Sequence, residues 1–183
     1  MKNRIVLVYK SRTGFTKKYA EMIAEEINCT LLNAKDMTAE AISDFDVVVF
    51  GSRCHAGKID GIEKAKKLFR QSKAKKFAIF ATGATPNAAE ELIHEMWNHN
   101  LSPFELHDIP HFYMQSGLCY EKMSLPEKAM MKVFCAMMKN KKDKNVYEIG
   151  FEQAISNSYD ISSKDYIHPL VNYLKAENTS SIN

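Results

Sequence analysis

The residues best suited to chemistry cluster near the start of the chain, in Ser11-Arg12-Thr13-Gly14-Phe15-Thr16. A short apolar run, Ile5 to Tyr9, precedes them and a helical pattern follows. Strand, hydroxyl-rich turn and helix together can hold a phosphate. The turn offers free backbone N–H groups, the helix start carries partial positive charge, and three hydroxyls can donate. Gly14 lets the backbone close around the anion. The competing reading is a plain strand-to-helix turn with Thr13 or Thr16 as the cap. Three hydroxyls exceed what one cap needs, so the phosphate reading is preferred.

Other chemistries find less support. The dinucleotide fingerprint G-x-G-x-x-G is absent after the first strand, and so is a phosphate loop ending G-K-[ST]. A phosphoacceptor receiver needs an Asp at the end of the third strand, where this chain has Gly51-Ser52. The four cysteines, Cys29, Cys54, Cys119 and Cys135, form no C-x-x-C pair. His107 and His111 are separated by Pro110, and His94 and His99 do not share a helix face. No metal site is expected.

The elements that must position the loop follow from hydrophobic patterning. Buried strands are expected at residues 3–9, 29–33, 46–52, 77–83 and 111–117. The third, fourth and fifth end in Gly51, Gly83 and Gly117. Helices are expected between them: one carrying Ala20, Ile23, Ala24 and Ile27, a short turn capped by Thr38, one from Gly61 to Gln71, and one capped by Asn87 with Leu92, Ile93, Met96 and Trp97 on one face. Strands separated by helices imply a parallel, doubly wound α/β sheet covered on both faces. Ligands in such a sheet bind beyond the carboxyl ends of the strands, where the Ser11 loop and the three Gly-ended strands converge.

One segment breaks the alternation. From Leu118 to Val146 the chain carries a Met-rich helix, Leu125 to Asn140, with Met130, Met131, Phe134, Met137 and Met138 on a broad apolar face. Pro126 suits its first turn. Lys128, Lys132 and Lys139 lie opposite, and Lys141, Lys142 and Lys144 follow. The plainer reading is an amphipathic helix packed on the domain. The sharper one is a contact with a membrane surface or an acidic partner. A last helix is expected over residues 165–175, with 176–183 frayed.

Length and composition fit one domain spanning residues 1–183. Hydrophobic residues make up 45% and charged residues 26%, ordinary globular usage. A net charge of +3 does not suggest a nucleic-acid binder. No run approaches the length of a spanning helix and the N-terminus enters a strand at once, so a cytoplasmic protein is expected.

Ser11 to Thr16 matches the S/T-x-T-G-x-T phosphate loop of the flavodoxins, and the chain resembles that family over nearly its whole length. Gly51-Ser52 and the following loop to Gly57 resemble the first loop beside the isoalloxazine ring, and Gly83 falls where the second is expected. The insertion is similar to that of the flavodoxin-domain group that includes the quinone-linked protoporphyrinogen oxidases, with Tyr120 as the aromatic after the last strand. The resemblance implies a five-stranded sheet of order 2-1-3-4-5 and non-covalently bound FMN. Ser11, Thr13 and Thr16 would donate hydroxyls to the phosphate, with the N–H groups of Arg12, Gly14 and Phe15 alongside. Ser52, Arg53, Cys54, His55, Ala56 and Gly57 would flank one side of the ring, and Thr82, Gly83, Ala84 and Thr85 the other. Gly117 ends the last strand at the same edge, and a peptide reorienting at Gly57 would stabilise a semiquinone.

Two departures matter. The ring loops offer His55 where flavodoxins often place Trp or Tyr, and Tyr120 is the candidate to supply the missing stacking surface. A histidine ordinarily titrates near neutral pH, so His55 can stack, hydrogen bond or titrate there. Carrier flavodoxins are strongly acidic, whereas this chain is slightly basic. The leading expectation is an FMN redox protein serving a protein partner or a quinone-like molecule, with no side chain in a catalytic role. The alternatives are a protoporphyrinogen-oxidase-like flavoenzyme and a non-redox module docking a partner through the Met- and Lys-rich helix.

Overall fold

The computed structural model describes residues 3–144, 149–150, 152 and 154–180. Its strands in chain order begin with β1 (Ile5–Lys10), β2 (Thr30–Asn33), β3 (Val47–His55), β4 (Lys58–Ile59), β5 (Lys76–Gly83) and β6 (His111–Gln115). Five of them pair in the order β2-β1-β3-β5-β6, all parallel. This is the doubly wound α/β sheet expected; β4 is the addition, paired antiparallel to β3.

Alternation along the strands feeds two cores. Ile5, Leu7, Val47, Val49, Ala78 and Phe80 point to one face, against α1 (Phe15–Glu26) and α7 (His168–Ser180). Val6, Val8, Val48, Phe50, Phe77 and Ile79 point to the other, against α2 (Ala39–Ser43), α3 (Ile62–Gln71) and α4 (Glu90–Asn100). Both faces are dry, which is why the strands read as unbroken apolar runs. Each such side chain stabilises the fold by about 1.5–3 kcal/mol relative to exposure.

Several local expectations are corrected. Gly51 does not end its strand but lies in the middle of β3. A Cβ there would come 2.0 Å from Phe80 Cζ, so the ring of the neighbouring strand requires the gap. The loop expected from Arg53 to Lys58 is instead a hairpin. Its two-residue tip, Ala56-Gly57, has φ of 48° and 77°, the left-handed pair that a tight two-residue turn demands. Asn100 on α4 ties this hairpin down: its Nδ2 donates to the Gly57 carbonyl (2.7 Å), and Ile59 N–H donates to its Oδ1 (2.8 Å).

Asn87 does not cap α4; the cap position is Ala89, without a side-chain bond. Leu92, placed on the apolar face of that helix, is exposed, whereas Met96 and Trp97 are buried. A helix that periodicity missed, α5 (Pro103–Asp108), is held by a capping box between Ser102 and Glu105. Glu105 also receives the Lys66 ammonium at 3.0 Å, which explains a lysine only 4% exposed. The last helix runs on to Ser180, past the point where fraying was expected, with residues 181–183 outside the described set.

The last central strand stops at Gln115. Gly117–Leu118 then forms β7, which pairs antiparallel with β8 (Tyr159–Asp160). Gly117 is needed there because a Cβ would lie 2.0 Å from the Tyr159 carbonyl oxygen. The segment between β7 and β8 holds a 3-10 turn (Tyr120–Lys122) and α6 (Leu125–Asn140). Asn145 and Val146, where the insertion was expected to end, lie outside the described residues. Among the described residues, no helix is long and apolar enough to cross a membrane.

Candidate functional site

The Ser11 loop turns sharply into α1. Gly14 is its cap residue, with φ of 107°, and no side chain caps the helix, so neither Thr13 nor Thr16 plays that role. Gly14 N–H donates to Ser11 Oγ at 3.2 Å. The Thr16 hydroxyl is buried and meets Thr82 Oγ1 at 2.9 Å, joining the loop to the end of β5. Lys122, from the turn after β7, places its ammonium on the Thr13 carbonyl at 2.9 Å. The loop thus carries a cation that sequence reading did not assign to it.

Beside the loop lies a cavity of about 340 Å3. Of the expected residues, Thr13, Phe15, Arg53, Cys54, His55, Ala56, Thr82, Gly83, Ala84 and Gly117 line it. Ser11 and Arg12 line a second cavity on the other side of the loop. Ser52 is buried in β3 and donates to the Asp60 carbonyl at 2.7 Å. Gly57 sits at the hairpin tip, and the Thr85 carbonyl accepts from Tyr113 at 3.0 Å. Tyr120 does not face the cavity; its hydroxyl donates to the Ile155 carbonyl. Burial, with Cys135 beside it, pushes that phenol up to about 12. Burial also raises the Cys54 thiol, against a bond from Gly57 N–H, which leaves it a poor nucleophile.

Sequence reading missed one whole wall of the cavity. Leu118, Cys119, Met123, Glu127, Met130, Met131 and Phe134 supply it, most of them from α6. On α6, only Glu127 and Met138 are buried. They are separated by about 16 Å along the axis, so the helix lies across the cavity like a bar fixed at both ends. The expectation that the Met-rich face packs into a core is corrected: Met137 is 64% exposed and Val133 61%.

Glu127 is the fixing point at the N-terminal end. Its Oε2 accepts from Ser124 N–H (2.8 Å) and Ser124 Oγ (2.6 Å), completing a capping box. Its Oε1 lies 2.9 Å from Arg53 Nη1 and 3.2 Å from Arg12 Nη1. Arg53 is held in turn by Asp60 at 2.8 Å. Burial works to raise the Glu127 carboxyl, but the Ser124 and Arg53 bonds outweigh it and hold it down to about 2. His55 Nε2 lies 3.8 Å from the same carboxylate, buried and without a hydrogen-bond partner.

These features suit a flat, largely apolar group with an anionic end. The walls are apolar, one ring nitrogen is unpaired at their edge, and the neighbouring loop joins three hydroxyls to a helix start and an ammonium. The fold carries the same assignment. Solved structures similar to the chain include an oxidised flavodoxin from Bacillus cereus (17% identity, 84% of this chain and 97% of that one, TM-score 0.39). Others are the two-electron reduced flavodoxin of Megasphaera elsdenii (14%, 84% and 99%, 0.43) and a flavoprotein in complex with FMN from Lactobacillus acidophilus (16%, 62% and 92%, 0.42). No curated protein matches the chain. Residues 6–145 match the family model of the flavodoxin domain. That stretch is well over half of the chain and contains the loop, the hairpin and α6: the chain belongs to the flavodoxin domain family.

Proposed function

We propose that the chain binds FMN without a covalent link and passes electrons through it. The observation that supports this reading is an apolar slot of about 340 Å3 set directly against the hydroxyl-rich loop. Ser11, Thr13 and Thr16, the loop N–H groups and Lys122 hold the phosphate. Cys54 to Ala56 flank one side of the ring and Thr82 to Ala84 the other, and Met130, Met131 and Phe134 cover it from α6. When bound, FMN supplies one- and two-electron transfer. His55 offers the ring edge a nitrogen that no protein group uses.

Electrons leave or arrive at α6, which borders the slot and exposes apolar side chains flanked by lysines. The partner is a redox protein or a quinone-like molecule at an anionic surface, and the cytoplasm is the compartment. The test is a fluorescence titration of FMN into the purified chain, followed by anaerobic reduction and addition of a water-soluble quinone. One FMN per chain should be quenched, then bleached, then reoxidised by the quinone. Unchanged FMN fluorescence would overturn the assignment.

A further inference from the structure

The second cavity, about 490 Å3, opens between the β1–α1 turn, the β2–α2 turn and the start of α3. Its polar lining is almost entirely cationic: Lys10, Arg12, Lys35, Arg53 and Lys64 against one carboxylate, Asp60. The two arginines are satisfied, by Asp60 and by Glu127 of α6. The three lysines are not: among the described residues none of them forms an ion pair. Met37 and Leu68 give the cavity an apolar floor.

The positions of these charges make the surplus costly. A Cβ built on Gly61 would lie 3.3 Å from Lys10 Nζ, so that ammonium stands against the first residue of the α3 cap. No side chain caps this ten-residue helix, and Glu63 in its first turn turns away to Lys66 at 2.7 Å. An ammonium beside the positive end of a helix repels it unless an anion stands between them. Glu127 illustrates the remedy one step away, as a carboxylate that two of the same cavity's cations already hold.

We propose that this cavity binds a small organic polyanion, one that carries two or more carboxylate or phosphate groups on a compact body. Lys10, Lys35 and Lys64 supply the charge, and Met37 and Leu68 the apolar contact. Because Arg12 and Arg53 face the same space, a ligand that reaches them competes with Glu127. Binding here is independent of the cofactor assignment.

The test is calorimetric titration of citrate, and separately of pyrophosphate, into the full chain at low ionic strength, with and without saturating FMN. One saturable site per chain is expected in both conditions, and the tighter probe names the preferred group. The exposed double variant Lys35→Glu/Lys64→Glu should bind about tenfold more weakly or worse. Lys67→Glu/Lys73→Glu makes the same charge change outside the cavity and should bind as the parent does. Absence of saturable heat with either anion overturns the proposal, as does equal weakening in both variants. Loss of binding once FMN is present also overturns it, since the cavity would then be the phosphate end of the cofactor site. A chain that takes up no FMN leaves the lysine comparison to decide.

Discussion

Glu127 is the residue on which the site's geometry turns. One oxygen completes the cap of its own helix and the other receives two arginines from distant turns. Glu127→Gln keeps the shape and removes the charge, so Arg12 loses its only carboxylate partner among the described residues while Arg53 keeps Asp60. Local opening of α6 should become easier by about 2–3 kcal/mol, read as faster amide hydrogen exchange across residues 128–134, with exchange in β1 and β3 unchanged. The sign of the pH effect follows from the carboxyl being held down to about 2 in the folded chain against roughly 4.3 in an unfolded one. The stabilisation is complete above the unfolded value and is lost as pH falls through the folded one. Exchange in α6 should therefore accelerate between about pH 4 and 2 in the parent and stay flat in the variant. How Glu127 acts was only half legible. Ser124-x-x-Glu127 is a capping-box pattern visible in the sequence. The arginines it meets are set by the fold, one of them 115 residues away.

The elements were legible where burial sets the pattern and obscure where turns or tertiary contacts do. The five parallel strands are apolar runs and needed nothing more. The β3–β4 hairpin escaped because its tip is Ala56-Gly57 rather than the Asn-Gly or Asp-Gly that announces such turns. Helix α5 escaped because it is short, lies between Pro103 and Pro110, and buries none of its residues. Gly51 read as a strand end because periodicity cannot show a Phe80 ring leaning across from the next strand. Helix α6 was found with its correct bounds, but its apolar face proved to be a cavity wall and an exposed ridge. That ridge, Leu125, Val133 and Met137, lies among Lys128, Lys132, Lys139, Lys141 and Lys142, as in helices that rest on anionic surfaces. The chain should therefore co-sediment with phosphatidylglycerol vesicles and not with phosphatidylcholine vesicles. Substituting Leu125, Val133 and Met137 by Ser should abolish the binding; equal recovery with both lipids would rule the anionic surface out.

At the scale of the whole molecule, the chain leaves the sheet at β7 and returns to it at β8, its immediate neighbour. Leu118 stands opposite Tyr159, and the Ile161 N–H donates to the Ser116 carbonyl at 2.9 Å. The points of departure and return are thus fixed by the sheet's own side of the junction. Everything between them is a detachable module, joined to the parent fold as if at a single seam. Replacing Cys119 to Ser158 by Asn-Gly would close β7 and β8 into a tight hairpin and shorten the loop whose closure costs entropy. The excised chain should remain monomeric and unfold in one cooperative transition in urea, while losing the cavity wall that α6 provides; an aggregated or unfolded product would mean that the seam is not real. A flavodoxin sheet with such a seam can exchange its cover without rebuilding its core, so that new specificity enters the fold by replacement of one cassette.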